Sequence, residues 1–266
     1  GAFKLYEYTP FNNEKLSMIL ASIGSFVLTM VSIFSSPEER KTTKSKTLNP
    51  IAKMYNALKS MDQRQWYILV AHFFKSMATA EFFARSANFI AKYIFGGNNT
   101  DKKYLFDDGI SCSQMLNVIL TIGQCLCSFI NPFLIKKLGF RLSYSIGTIS
   151  AFLANLLYYL FPYKSTLFIP YLLMAVCTVI TNSVPYAYLS LTSPQEKISE
   201  YNTLIGLSCS VSVGLGYLVL TMGLGSMAFF QENPSRLIGI SCVFAIFALI
   251  FGRLGYGHVS HEKKDD

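Results

Sequence analysis

The sequence predicts an all-α membrane protein of about seven transmembrane helices, and three observations carry that reading. Charged residues make up 14% of the chain and hydrophobic residues 52%, whereas a soluble domain is nearer a quarter charged. Seven apolar runs reach the roughly 20 residues that a bilayer core demands. No stretch alternates polar and apolar residues with comparable strength, and helices are the economical way to satisfy backbone groups in lipid.

The runs lie at about 16–34, 66–85, 112–134, 142–161, 166–189, 201–222 and 237–255. The net charge of +8 is spread between the runs, as membrane loops require, and does not form the single basic face that nucleic acid would need. Arg40, Lys41, Lys44, Lys46, Lys53, Lys59 and Arg64 fill the loop 35–65. Lys136, Lys137 and Arg141 follow the third run, and Lys263 and Lys264 lie in the tail, while two alternate loops hold Lys164 and Arg236 alone. The expected orientation is N-terminus outside and C-terminus cytoplasmic. The sequon Asn98-Asn99-Thr100 falls in an expected outside loop, which marks Asn98 for glycosylation. The chain starts at Gly1 with no leader and reads as a fragment of a longer protein.

Four divisions follow: a segment and helix at 1–34, a basic cytoplasmic linker at 35–65, six helices at 66–257 and a polar cytoplasmic tail at 258–266. Within the linker, Ile51, Met54, Tyr55 and Leu58 recur at helical spacing. They form either an amphipathic helix on the membrane surface or a connector packed on the bundle.

The second run carries His72, Lys75, Glu81 and Arg85. Ionisable groups at membrane depth cost about 2.5–3.5 kcal/mol each on insertion scales and so mark a functional site by default. Glu81 precedes Arg85 by four residues, the favourable order for an intrahelical pair. Lys75 falls roughly 13 Å beyond Trp66 by helical rise, and the sequence shows no partner for it.

In the third run Asn117, Thr121, Gln124, Ser128 and Asn131 step by four, three, four and three onto one helix face. They read as the wall of a hydrated substrate pathway, or else as hydrogen-bonding glue between helices. In the fifth run Thr178, Thr181, Asn182 and Pro185 fall together, with the proline expected to kink the helix. In the sixth, Ser208, Ser212 and Gly216 form one small-residue face and Gly206 and Ser210 another.

Five of the six cysteines lie within apolar runs without zinc or haem spacing, so buried thiols are expected and no cofactor or metal. No nucleophile elbow, phosphate loop or spaced acid pair gives enzyme chemistry a footing.

The stretch from His72 to Gly97 resembles the seventh helix and following loop of the sucrose/proton symporter-like transporters. These belong to the glycoside–pentoside–hexuronide group of the major facilitator superfamily, and the animal branch, which includes the melanosomal membrane-associated transporter, is the most similar. Ser86-Ala87-Asn88-Phe89 and Tyr93-Ile94-Phe95-Gly96-Gly97 stand where that family has a phenylalanine-threonine-aspartate-phenylalanine-like element and a Tyr…Gly-Gly turn. Ser183-Val184-Pro185-Tyr186 resembles the Pro-aromatic motif of its tenth helix. Lys136-Lys137-Leu138-Gly139-Phe140-Arg141 resembles a degraded form of the superfamily's basic loop between helices eight and nine.

The resemblance implies helix six plus the C-terminal half of a twelve-helix sugar transporter, in the plasma membrane or an acidic organelle. The implied partners are a sugar, the lipid bilayer and the missing N-terminal half. The implied pathway residues are Glu81, Arg85, Asn117, Thr121, Gln124 and Asn182. The family's acidic position holds Asn88 here, a tryptophan position holds Ser76 and the loop's acidic position holds Lys136. Asn88 cannot titrate, so Glu81 is left as the candidate for proton coupling. Two rival expectations are a seven-helix receptor and a non-transporting homologue. Against the receptor, the loop 162–165 is short and offers no Cys to pair with Cys112.

Overall fold

The computed structural model describes residues 50–98, 101–224, 227 and 235–257. The expected span at 16–34, the linker before residue 50 and the tail 258–266 lie outside the described residues. The described residues are helical, with no strand among them, and four stretches are long and apolar enough to cross a membrane: Lys103–Leu160, Phe168–Thr192, Gln195–Leu220 and Arg236–Gly255. By that measure the described residues are those of an all-α membrane protein.

The first helix, α1 (Pro50–Ser60), is the linker helix. Ala57 and Met61 are buried in one hydrophobic cluster with Tyr201 and Leu204, and Tyr201 hydroxyl meets Ser60 Oγ at 3.2 Å. The connector alternative therefore describes it, with Tyr55 left exposed.

Helix α2 (Gln63–Phe89) begins on a reciprocal cap. Asp62 Oδ1 accepts from the Gln65 backbone N–H at 2.7 Å, and Gln65 Oε1 accepts from the Asp62 N–H at 3.0 Å. Two orphan donors of the first turn are thereby satisfied. A π-helical turn, Ile90–Ile94, carries the helix on, so Glu81 and Arg85 sit well inside it.

Helix α3 (Lys103–Leu160) spans 58 residues, which unbroken would run ~87 Å, about three times the hydrocarbon thickness. It is broken at Gly139, whose φ of 77° and ψ of 170° fall in a region that essentially only glycine occupies. The arm 103–138 runs parallel to α4 (Phe168–Thr192), with Gly123 against Ala175 and Asn131 bonded to Ser183. The arm 140–160 runs back, with Phe140 on Tyr188, Gly147 on Thr181 and Tyr158 near Tyr171. Expectation and structure agree that the chain turns at the basic Lys136–Arg141 stretch.

Helix α5 (Ile198–Gly216) and its π-helical extension Tyr217–Gly223 pack on α2 through Ser208, whose Oγ donates to the Leu69 carbonyl at 3.3 Å, and through Gly216, which faces Ala80. Among the described residues the Gly206–Ser210 face meets no neighbour: Gly206 has nothing within 4 Å of an added Cβ and Ser210 is exposed. Helix α6 (Ser235–Gly255) closes the bundle, stacking Phe244, Phe247 and Phe251 around Phe74 of α2. These contacts make the six segments alternate in direction.

Two clusters form the core. One gathers Phe82, Phe89, Tyr158 and Tyr171 with ring centroids 5.0–5.4 Å apart. The other joins Phe140, Tyr144, Tyr188 and Tyr256 at the end where the Gly139 turn lies. The ends differ less in charge than the loops imply. Among the described residues Lys59, Arg64, Lys136, Lys137, Arg141, Lys197 and Arg253 lie at the Gly139 end, and Lys92, Lys102, Lys103, Lys164 and Arg236 at the other.

Candidate functional site

The arm 103–138 and α4 lie side by side and carry polar residues where they meet. Gln124 Nε2 donates to Thr178 Oγ1 at 2.8 Å, and Asn131 Nδ2 donates to Ser183 Oγ at 2.6 Å. Beside these bonds an open cleft of about 650 Å³ is lined by Gln124, Ser128, Asn131, Asn182 and Ser183 among others. That volume is in the range of sites for small organic ligands. The predicted stripe thus divides its labour. Gln124 and Asn131 tie helices together, and Ser128 stays exposed with its hydroxyl donating to the Gln124 carbonyl.

Of the sequence-predicted pathway residues, the structure brings Gln124 and Asn182 to this cleft. Asn117 and Thr121 are exposed on the same arm, outside the cleft lining, with Thr121 Oγ1 donating to the Asn117 carbonyl at 2.9 Å. Glu81 and Arg85 are paired on α2, Arg85 Nε to Glu81 Oε2 at 2.7 Å, with Glu81 buried and Arg85 partly exposed. They do not line the cleft. Asn98 is exposed, and its Oδ1 accepts from the backbone N–H groups of Asp101 and Lys102, both at 2.8 Å.

The single face expected for α4 does not hold. Thr178 and Asn182 serve the cleft, whereas Thr181 and Pro185 are buried in the bundle, Thr181 against Gly147. Successive residues of a helix are separated by about 100°, so Thr181 and Asn182 cannot share a narrow face. The helix continues through Pro185. The ring removes the donor for the Thr181 carbonyl, and the buried His72 ring of α2 sits against the Thr181 backbone.

The residue whose role the sequence left open is Lys75. It is 4% exposed in the middle of α2, and its ammonium donates to Asn182 Oδ1 at 2.5 Å. Cys177 of α4 and Cys209 of α5 lie near it. Its partner is 107 positions away, and only the packing of α2 on α4 reveals it. The sequence signal was present in halves: a lysine inside one apolar run and an asparagine inside another.

A second, larger concavity of about 1480 Å³ adjoins the first, sharing Asn131, Pro132 and Ser183 with it. Among the described residues its charged lining is Lys136, Lys137, Arg141 and Arg253. Among the described residues no group of three or more His, Cys, Asp or Glu side chains could hold a metal ion.

No family model matches the chain, and none of the curated proteins matches it.

Proposed function

We propose that the chain is the C-terminal half of a sugar transporter of the major facilitator type, working by alternating access with a second six-helix half. The observation that carries this reading is the polar cleft between the arm 103–138 and α4, walled by hydrogen-bonding side chains in an otherwise apolar bundle. Sugar hydroxyls donate and accept, and amide and hydroxyl side chains meet both needs. Asn117, Thr121 and Ser128 are exposed on the same arm, and among the described residues the Gly206–Ser210 face of α5 is open. A second half packed over these surfaces would give the polar groups a wet or protein environment in place of lipid.

In this reading helix six is the 16–34 run, and the Gly139 end is cytoplasmic. Glu81, held by Arg85, is the proton-coupling carboxylate. The deciding experiment is uptake of labelled sucrose, glucose and maltose into proteoliposomes holding the full-length protein, with and without a pH gradient. Saturable uptake of at least one sugar supports the reading. Uptake of none favours the non-transporting homologue.

A further inference from the structure

We propose that the basic concavity at the Gly139 end binds an anionic phospholipid, whose phosphate headgroup sits among Lys136, Lys137, Arg141 and Arg253. The inference rests on the membrane-spanning reading of the helices and not on sugar transport, so no uptake result bears on it.

The four cations are gathered by the fold. Lys136, Lys137 and Arg141 flank the Gly139 break, and Arg253 reaches the same concavity from the last turn of α6. All four are exposed, and among the described residues no carboxylate pairs with any of them. Like charges round one hollow repel one another, and a phosphate that accepts from several at once relieves that repulsion.

The depth of the site favours a lipid over a soluble anion. Lys136 follows directly on the apolar run 112–134, and Arg253 lies where the membrane-crossing stretch Arg236–Gly255 ends. That is the level of the headgroups, where basic pockets between spanning helices meet anionic lipid. The hollow, about 1480 Å³, is also far larger than one phosphate needs, and Ile135, Leu138 and Leu142 line it beside the cations.

A track for an acyl chain leads away from it. Val118, Ile122, Leu126, Phe129 and Phe133 step by four, four, three and four along the arm 103–138 and are all exposed, the two phenylalanines at 76% and 74%. By helical rotation this stripe is centred about 140° from the polar stripe of Asn117 to Asn131. An exposed apolar stripe on a membrane-crossing helix is a lipid face. Lys136 and Lys137 cap it, one on either side and each within about 60° of its centre. From Lys136 to Phe129 is ~11 Å of helical rise, inside the half-thickness of a roughly 30 Å hydrocarbon core that one acyl chain covers. A headgroup at the lysines and a chain along the phenylalanines therefore fit one molecule.

The test is native mass spectrometry of the detergent-solubilised full-length protein, offered equal amounts of dioleoyl phosphatidylserine and dioleoyl phosphatidylcholine. Phosphatidylserine should be retained at least about fivefold better, which is what one cation near an anionic lipid is worth. Lys136→Gln with Lys137→Gln, and Arg253→Gln alone, should each lower phosphatidylserine binding by about fivefold or more. Lys136→Arg with Lys137→Arg keeps the charges and should bind as the wild type does. Phe133→Ala should weaken retention of both lipids and leave the preference between them. Lys102→Gln with Lys103→Gln, two exposed cations at the opposite end, should change nothing.

Equal retention of the two lipids by the wild type overturns the proposal. So does an equal loss in the Lys102 and Lys103 variant, which would mean that overall charge and not this concavity draws the lipid. A third arm adds inorganic phosphate: displacement of phosphatidylserine by phosphate at equal concentration would make the concavity a small-anion site and overturn the lipid assignment.

Discussion

Gln124 and Thr178 are joined by a 2.8 Å hydrogen bond between helices that run side by side, and the cleft opens next to that bond. It is a structural tie and a wall of the site at once. Gln124→Leu should therefore cost stability and, if the proposed transport holds, transport together. The stability loss should be small, about 0.6 kcal/mol, the average for interhelical hydrogen bonds in membranes. Thermal melting in detergent checks the first effect. A several-fold rise in KM for uptake, with kcat nearly kept, checks the second.

The turn at Gly139 makes a different prediction. Its φ of 77° and ψ of 170° suit no L side chain, so Gly139→Ala should destabilise the bundle by about 1–3 kcal/mol even though nothing lies within 4 Å of the added carbon. The penalty is conformational, so Gly139→Asn or Gly139→Ser should cost as well. A melting temperature unchanged in all three variants would count against a glycine-only turn.

Gly109 is a matter of space. A side chain there would meet the backbone of Ala91 in the π-helical turn that ends α2. Backbone yields less readily than a side-chain tip, so Gly109→Val should lose about 1–3 kcal/mol. The loss should concentrate at that end of the bundle, read as faster hydrogen exchange in 86–97 and 103–112 than elsewhere.

The Glu81–Arg85 pair separates structure from coupling. Arg85→Met removes the cation beside a carboxylate that is almost wholly buried and should destabilise by about 1–3 kcal/mol, discounted for the partial exposure of Arg85. Glu81→Gln should be milder for stability, because the vacated cation can reach solvent. If Glu81 couples protons, uptake in Glu81→Gln should no longer rise when the substrate side is made acidic. Retention of the full gradient effect would remove Glu81 from that role.

Asn98 reports orientation. It is exposed near the end opposite the Gly139 turn. If that end is extracytoplasmic, endoglycosidase treatment of protein made in a glycosylating host should sharpen its electrophoretic band, and Asn98→Gln should abolish the change. No shift would point to the reverse orientation or to a sequon that the transferase does not reach.

Much was legible in the residues themselves. The helices at 103–160, 168–192, 195–220 and 236–255 followed from apolar run length, because a bilayer-spanning helix needs about 20 residues that tolerate lipid, and that demand is local. The run 66–85 is helical too, but it is not among the described stretches apolar enough to cross a membrane. The turn at Lys136–Arg141 and the pairing of Glu81 with Arg85 were equally local, the latter because four residues of helix bring the two side chains together. Whether the linker helix lies on the membrane or on the bundle was not legible, since Ala57 and Met61 suit lipid and protein alike until Tyr201 is found beside them.

The site was only half visible for the same reason. Periodicity placed Gln124 and Asn131 on one face, but a face does not name its neighbour, and Thr178 and Ser183 as their partners came from packing. Periodicity also grouped Thr181 with Asn182, whereas the surrounding helices bury one and expose the other. Lys75 marks the boundary most clearly. The sequence by itself determined that a lysine stands inside an apolar helical run and must be answered. Only the tertiary structure decided that Asn182, 107 positions on, answers it, because the partner of a buried charge is set by which helices touch and not by any spacing along one of them.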